Sequence, residues 1–141
     1  MPPTCQTGQL DLVQGRGGVA LGTAALSLSF RNHTAQGCSL TGYPSIAIFD
    51  AQGHMVPIQL QQVTVAYTFN SAPVQMVALA AGAQAYFKLQ WADGTGSQVN
   101  CATAATAEIT PPGSASAITA PLQVRECGGT LTISPVEPTS F

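Results

Sequence analysis

Residues 83–91 read Ala83-Gln84-Ala85-Tyr86-Phe87-Lys88-Leu89-Gln90-Trp91. In an extended chain Ala85, Phe87, Leu89 and Trp91 fall on one face, and Gln84, Tyr86, Lys88 and Gln90 on the other. A period of two marks a strand with one face in a core and one toward solvent. Residues 24–31 repeat the pattern, with Leu26, Leu28 and Phe30 alternating with Ser27 and Ser29. Trp91 ends its strand on the face of Leu89 and Phe87, so it reads as a core residue rather than a sugar-stacking platform. Tyr86, on the opposite face, is the better candidate for an exposed aromatic.

Working outward, residues 45–49 and 55–59 flank Asp50-Ala51-Gln52-Gly53, which reads as a hairpin with glycine closing the turn. Pro57 places the second of these strands at an edge or a bulge. Further strands are expected at 9–13, 63–67, 74–79, 107–110, 118–124 and 131–134. Glycine or proline interrupts almost every stretch that could be helical, and only the alanine-rich residues 102–107 suggest a short helical turn. Short strands separated by turn residues indicate an all-β fold. The expected architecture is an antiparallel, immunoglobulin-like β-sandwich of about 7–10 strands, in a single domain over residues 1–141.

Charged residues make up 7% of the chain, with Arg16, Arg31, Lys88 and Arg125 its only lysines and arginines. An average soluble domain carries roughly 25%. With a net charge of −2 there is no basic surface to neutralise phosphates, so nucleic-acid binding is not expected. Hydrophobic residues reach 45%, far from the composition of a disordered chain. No apolar run approaches the roughly 20 residues that span a bilayer. The opening Met1-Pro2-Pro3-Thr4 lacks the basic and apolar regions of a signal peptide, which leaves the compartment to be inferred from the cysteines.

The four cysteines are Cys5, Cys38, Cys101 and Cys127. They can form disulfides, bind a metal or supply a catalytic thiol. Zinc sites bring ligands in close pairs, and no two cysteines here are close. A catalytic thiol needs a base, for which only His33 and His54 are available. Disulfides are the favoured reading. Of three connectivities, Cys5–Cys38 and Cys101–Cys127 follow from the grouping into an N-terminal and a C-terminal couple. Each would close a loop of about thirty residues, worth roughly 3–4 kcal/mol on the chain-entropy model. Disulfides imply an oxidising compartment and hence export.

A series of motifs runs through the chain. Cys5 precedes Gln9-Leu10, residues 25–32 end in Arg31-Asn32, and Cys38-Ser39-Leu40-Thr41-Gly42-Tyr43-Pro44 forms a C-x-L-x-G-Y-P element. Residues 46–50 with Gly53, then 79–82 leading into Leu89-Gln90-Trp91, continue it. Cys101, Ile109-Thr110-Pro111-Pro112-Gly113, Cys127 and residues 131–136 complete it. The series resembles a domain-of-unknown-function family of exported proteins and lipoproteins from actinobacteria, including mycobacteria and streptomycetes. The resemblance covers almost the whole chain and implies secretion or envelope attachment, two disulfides and no assigned reaction. Ala81-Gly82 stands where that family usually has Pro-Gly. A lipid-bearing cysteine would lie upstream of this chain, since no apolar lipobox precedes Cys5.

Candidate sites are few. Cys38–Pro44 reads as a turn that launches a strand, with Tyr43 packing, or as a ligand-facing loop with Tyr43 as a platform. Tyr67 and Phe69 lie in the long stretch 59–74, where exposed aromatics could anchor a partner. Tyr43, Tyr67, Phe69 and Tyr86 are therefore the candidate interaction surface. His54-Met55 pairs an imidazole with a thioether, but blue copper needs a free cysteine and a second histidine as well. A solvated histidine and a core methionine are expected there, and no metal or cofactor site. Asn32-His33-Thr34 is a glycosylation sequon, relevant only in a eukaryotic secretory pathway.

The acids Asp11, Asp50, Asp93, Glu108, Glu126 and Glu137 are scattered, and no local catalytic motif occurs. The expectation is an exported cell-envelope or secreted non-catalytic domain that recognises an envelope protein or glycan. A structural spacer of the envelope is the alternative. A secreted hydrolase with a nonlocal site is a further alternative, requiring His33 or His54 beside an acid and a nucleophile.

Overall fold

The computed structural model describes residues 2–20, 22–92 and 101–139. Among them the chain forms strands β1 (Leu10–Ala20), β2 (Thr23–Asn32), β3 (Cys38–Thr41), β4 (Ser45–Phe49), β5 (Met55–Val56), β6 (Gln59–Gln62) and β7 (Val65–Ala66). There follow β8 (Phe69–Asn70), β9 (Met76–Leu79), β10 (Gln84–Ala92), β11 (Cys101–Thr110), β12 (Ile118–Cys127) and β13 (Thr130–Ile133). Apart from one 3₁₀ turn at Thr7–Gln9, no helix occurs among the described residues, and none is long and apolar enough to cross a membrane.

Two main sheets pack into one core. The first has the order β1-β2-β10-β13-β6 and the second β12-β11-β4-β5, while β3 pairs with β9 and β7 with β8. The alternation at 83–91 is what places β10 in the middle of the first sheet. Ala85, Phe87 and Leu89 are fully buried, and Trp91 is 8% exposed. Their partners on β2 are Phe30, Leu28, Leu26 and Ala24, and the Phe30 and Phe87 rings stack with centroids 5.0 Å apart. Ile46, Ile48, Ala104, Ala107, Ile109, Leu122 and Val124 close the core from the second sheet. The result is an all-β sandwich.

Among the named strands the pairing is antiparallel apart from β13 with β6, which run parallel; Thr4 also makes an isolated parallel bridge to Ser39. Residues 102–107 belong to β11 rather than to the expected helical turn. Pairing with β4 and β12 on both sides overrides the helical preference of alanine, and Ala104 and Ala107 are fully buried small residues in the core. Met55 is 63% exposed, not a core methionine; Val56 takes the inward position on β5. Pro57 ends β5 at the edge of the second sheet, where its missing N–H costs no ladder bond.

Both disulfides follow the expected pairing, Cys5–Cys38 and Cys101–Cys127, and there is no free cysteine among the described residues. The first fastens the N-terminal segment to β3, beside backbone bonds from Cys5 N to Ser39 O and Ser39 N to Pro3 O. The second joins directly opposed residues of β11 and β12.

Candidate functional site

The groups that could carry chemistry lie apart. His54 Nδ1 stands 3.7 Å from Asp50 Oδ2 in the exposed β4–β5 turn. Asp50 Oδ1 accepts the backbone N–H groups of Gln52 and His54, and the bond from His54 is the main cause holding its carboxyl below the usual value. The carboxylate thus shapes a turn, and no hydroxyl or thiol is hydrogen-bonded to the pair among the described residues. His33 is exposed in a separate turn. Among the described residues no three His, Cys, Asp or Glu side chains gather where a metal could sit; Asp93 lies outside those residues. The sequon residue Asn32 is fully buried. Its amide donates to Gln36 O at 2.7 Å and Leu79 O at 3.1 Å, and its carbonyl accepts Thr34 N at 3.0 Å.

Glu126 is 3% exposed at the end of β12. Its carboxylate accepts Gly129 N at 2.9 Å and Thr130 N at 3.1 Å, closing the turn into β13. Burial pushes its carboxyl above the usual range, against the pull of those two N–H groups. Among the described residues it belongs to no group of three or more His, Cys, Asp or Glu side chains.

A different kind of site lies on the outer face of the first sheet. There the polar half of the alternation, Gln84, Tyr86, Lys88 and Gln90, sits opposite Arg31, Ser29, Ser27 and Ala25 of β2. Strand β1 covers the flank of this face, but its register shifts between Gln14 and Gly17. The bulge leaves Gly15 and Arg16 out of the ladder and re-aims them, as bulges do. Gly15 lets the bulge sit close to β2, since a Cβ there would lie 3.1 Å from Ser27 O. Arg16 borders two hollows, one of about 370 Å³ with Ser27, Thr68 and Lys88 and one of about 270 Å³ with Ser27, Gln84 and Tyr86. Sharing Arg16 and Ser27, they form one open trough along β2.

The far wall is the β7–β8 hairpin. It stands on β10 because Thr68 donates through both its N–H and its hydroxyl to Gln90 Oε1, each at 2.8 Å. Lys88 Nζ donates to Thr68 O at 3.3 Å. Phe69 anchors the hairpin at 6% exposure, and Ala72 N donates to the Glu137 carboxylate. Tyr67 is left 67% exposed at the hairpin's turn.

The four aromatic residues expected at a surface therefore part company. Tyr67 is exposed, and Tyr86 is half-buried and lines the trough. Phe69 is buried, contrary to its expected place on an exposed patch, because the hairpin needs an apolar foot. Tyr43 packs against the core between Gly42, at φ +106°, and the buried Pro44, and Gly42 O accepts Val136 N at 2.9 Å. Sequence reading missed Arg16, Ser27 and Thr68 as site residues. Lys88 carried a signal, being one of four basic residues and on the outward face of a clear alternation.

The family described as Domain of unknown function (DUF4232) matches this chain over residues 5–137. The chain belongs to that family. No curated protein matches it. The DUF4232 match spans both disulfides, the β1 bulge, the trough and the β7–β8 hairpin, so the whole candidate site is part of the domain rather than an appendage to it.

Proposed function

We propose that this DUF4232 chain is an exported binding domain, secreted or held at the cell envelope. It recognises an envelope protein or glycan through the outer face of its first sheet and catalyses no reaction. The carrying observation is the concentration of Arg16, Lys88 and Tyr86 around one open trough, walled by the hairpin whose turn exposes Tyr67, on a surface otherwise poor in charge. Export is supported by the two disulfides, which persist in oxidising compartments. The sandwich serves this use as an immunoglobulin-like module would, with a rigid sheet presenting side chains and a hairpin.

The test is retention of isolated envelope protein and envelope glycan fractions on the immobilised chain. Wild type is expected to retain one fraction and Tyr67→Ser to lose it. Equal retention by both, or retention of neither fraction, would count against a binding role and favour a structural spacer.

A further inference from the structure

We propose that the trough binds a carboxylate-bearing saccharide, with Arg16 and Lys88 as the groups that hold the carboxylate. This deepens the binding reading above and rests on it. Three observations carry it. The chain has four lysines and arginines, and two of them border this trough. Among the described residues neither has a carboxylate within 4.0 Å, whereas Arg31 is paired with Asp11 at 3.4 Å. Lys88 is half-buried, and its ammonium has one described hydrogen bond, to Thr68 O at 3.3 Å. A half-buried ammonium with no carboxylate within 4.0 Å among the described residues can donate a charge-assisted hydrogen bond to an anionic ligand.

The rest of the trough selects a saccharide over a peptide. Its floor is the face of a sheet whose backbone N–H and C=O groups are used in the β1–β2–β10 ladders. An extended peptide gains affinity by adding to a free strand edge, and the edge beside the trough, the outer side of β1, is interrupted by the bulge at Gly15 and Arg16. What a ligand meets instead are hydroxyls and amides, from Ser27, Thr68 and Gln84, with the Tyr86 ring beside them. These pair with sugar hydroxyls and cover a sugar face. From Thr23 to Ser29 the trough runs roughly 20 Å at the rise of a strand, so it accommodates a chain of sugars lying along β2.

The experiment is calorimetric titration of the whole chain with oligogalacturonate, its methyl ester and polyglutamate. Oligogalacturonate is expected to bind, more weakly as salt is raised, and its ester at least about tenfold more weakly, as loss of a charge-assisted hydrogen bond implies. Arg16→Gln and Lys88→Gln should each weaken binding about tenfold, Lys88→Arg should restore most of it, and Arg125→Gln, on β12 of the other sheet, should leave it unchanged. Melting curves of each variant check that the fold is intact, and Arg16 is an exposed bulge residue whose replacement does not touch the core. Equal binding of the ester, tighter binding of polyglutamate, or no effect of either variant overturns the proposal. If no acidic saccharide binds while Tyr67→Ser still abolishes envelope retention, this inference falls and the broader reading stands.

Discussion

Two buried polar residues show how single side chains hold this sandwich together. Asn32 ends β2 and satisfies three backbone groups from two other segments: Thr34 N, Gln36 O and Leu79 O. Asn32→Ala removes all three bonds at the buried end of β2, although Gln36 O keeps the Thr34 hydroxyl as a donor at 3.2 Å. The expected cost is about 2–3 kcal/mol, since an unmet buried group costs about 1–3 kcal/mol, measured by urea unfolding; a loss below about 0.5 kcal/mol would contradict this role. Glu126 acts through its proton. Its carboxyl is raised above the usual 4.5 by burial, so the folded state binds the proton more tightly than the unfolded chain. The resulting stability is fully present below pH 4.5 and is lost as pH rises through the higher folded value. Glu126→Gln keeps an oxygen to accept Gly129 N and Thr130 N but has no proton to lose. The wild type should decline in melting temperature across that window relative to this variant; parallel curves would show that Glu126 does not titrate there.

At the scale of elements, legibility tracks how local the cause is. The alternations at 24–31 and 83–91 placed β2 and β10 with their inward faces correct, because a half-buried strand writes its period into its own residues. Strand β6, Gln59–Gln62, carries no such period; it exists through parallel pairing to β13, some seventy residues later. The alanines of β11 read as helical because their partners on β4 and β12 are invisible from the segment itself. The trough is illegible for the same reason: it is made by a bulge in β1, a face of β2 and a hairpin clamped on β10. That clamp has a measurable consequence. Gln90→Ala removes both bonds from Thr68 and should speed amide exchange in residues 65–70 by about tenfold or more, at about 1 kcal/mol per bond. Global stability should fall by less, because Phe69 remains buried. Unchanged exchange in the hairpin would show that Phe69 and the Lys88 bond to Thr68 O fix it without Gln90.

Across the whole molecule the two disulfides fasten different regions and differ in access. Cys5–Cys38 ties the N-terminal segment under β3, with both sulfurs' residues fully buried. Ser114 Oγ donates to Cys5 O at 3.2 Å, and a Cβ on Gly113 would approach Thr4 Cγ2 to 2.9 Å. The segment is thus pinned from the 111–114 turn as well as from β3. Cys101–Cys127 sits at the end of the β11–β12 ladder, where Cys127 is buried but Cys101 is half-exposed. Loops of 33 and 26 residues give nearly the same chain-entropy gain, about 3–4 kcal/mol each. Loop length therefore does not rank the two bonds; exposure does, because thiol exchange needs access to a sulfur. Under native conditions with graded dithiothreitol, alkylation mapping should find Cys101 and Cys127 labelled first. Cys5 and Cys38 should become labelled only as the fold opens, since β3 and the N-terminal segment must separate to admit the reductant. Labelling of Cys5 at the same reductant concentration as Cys101 would mean that the N-terminal segment opens independently of the sandwich, and that its pinning by Ser39 and the 111–114 turn contributes little.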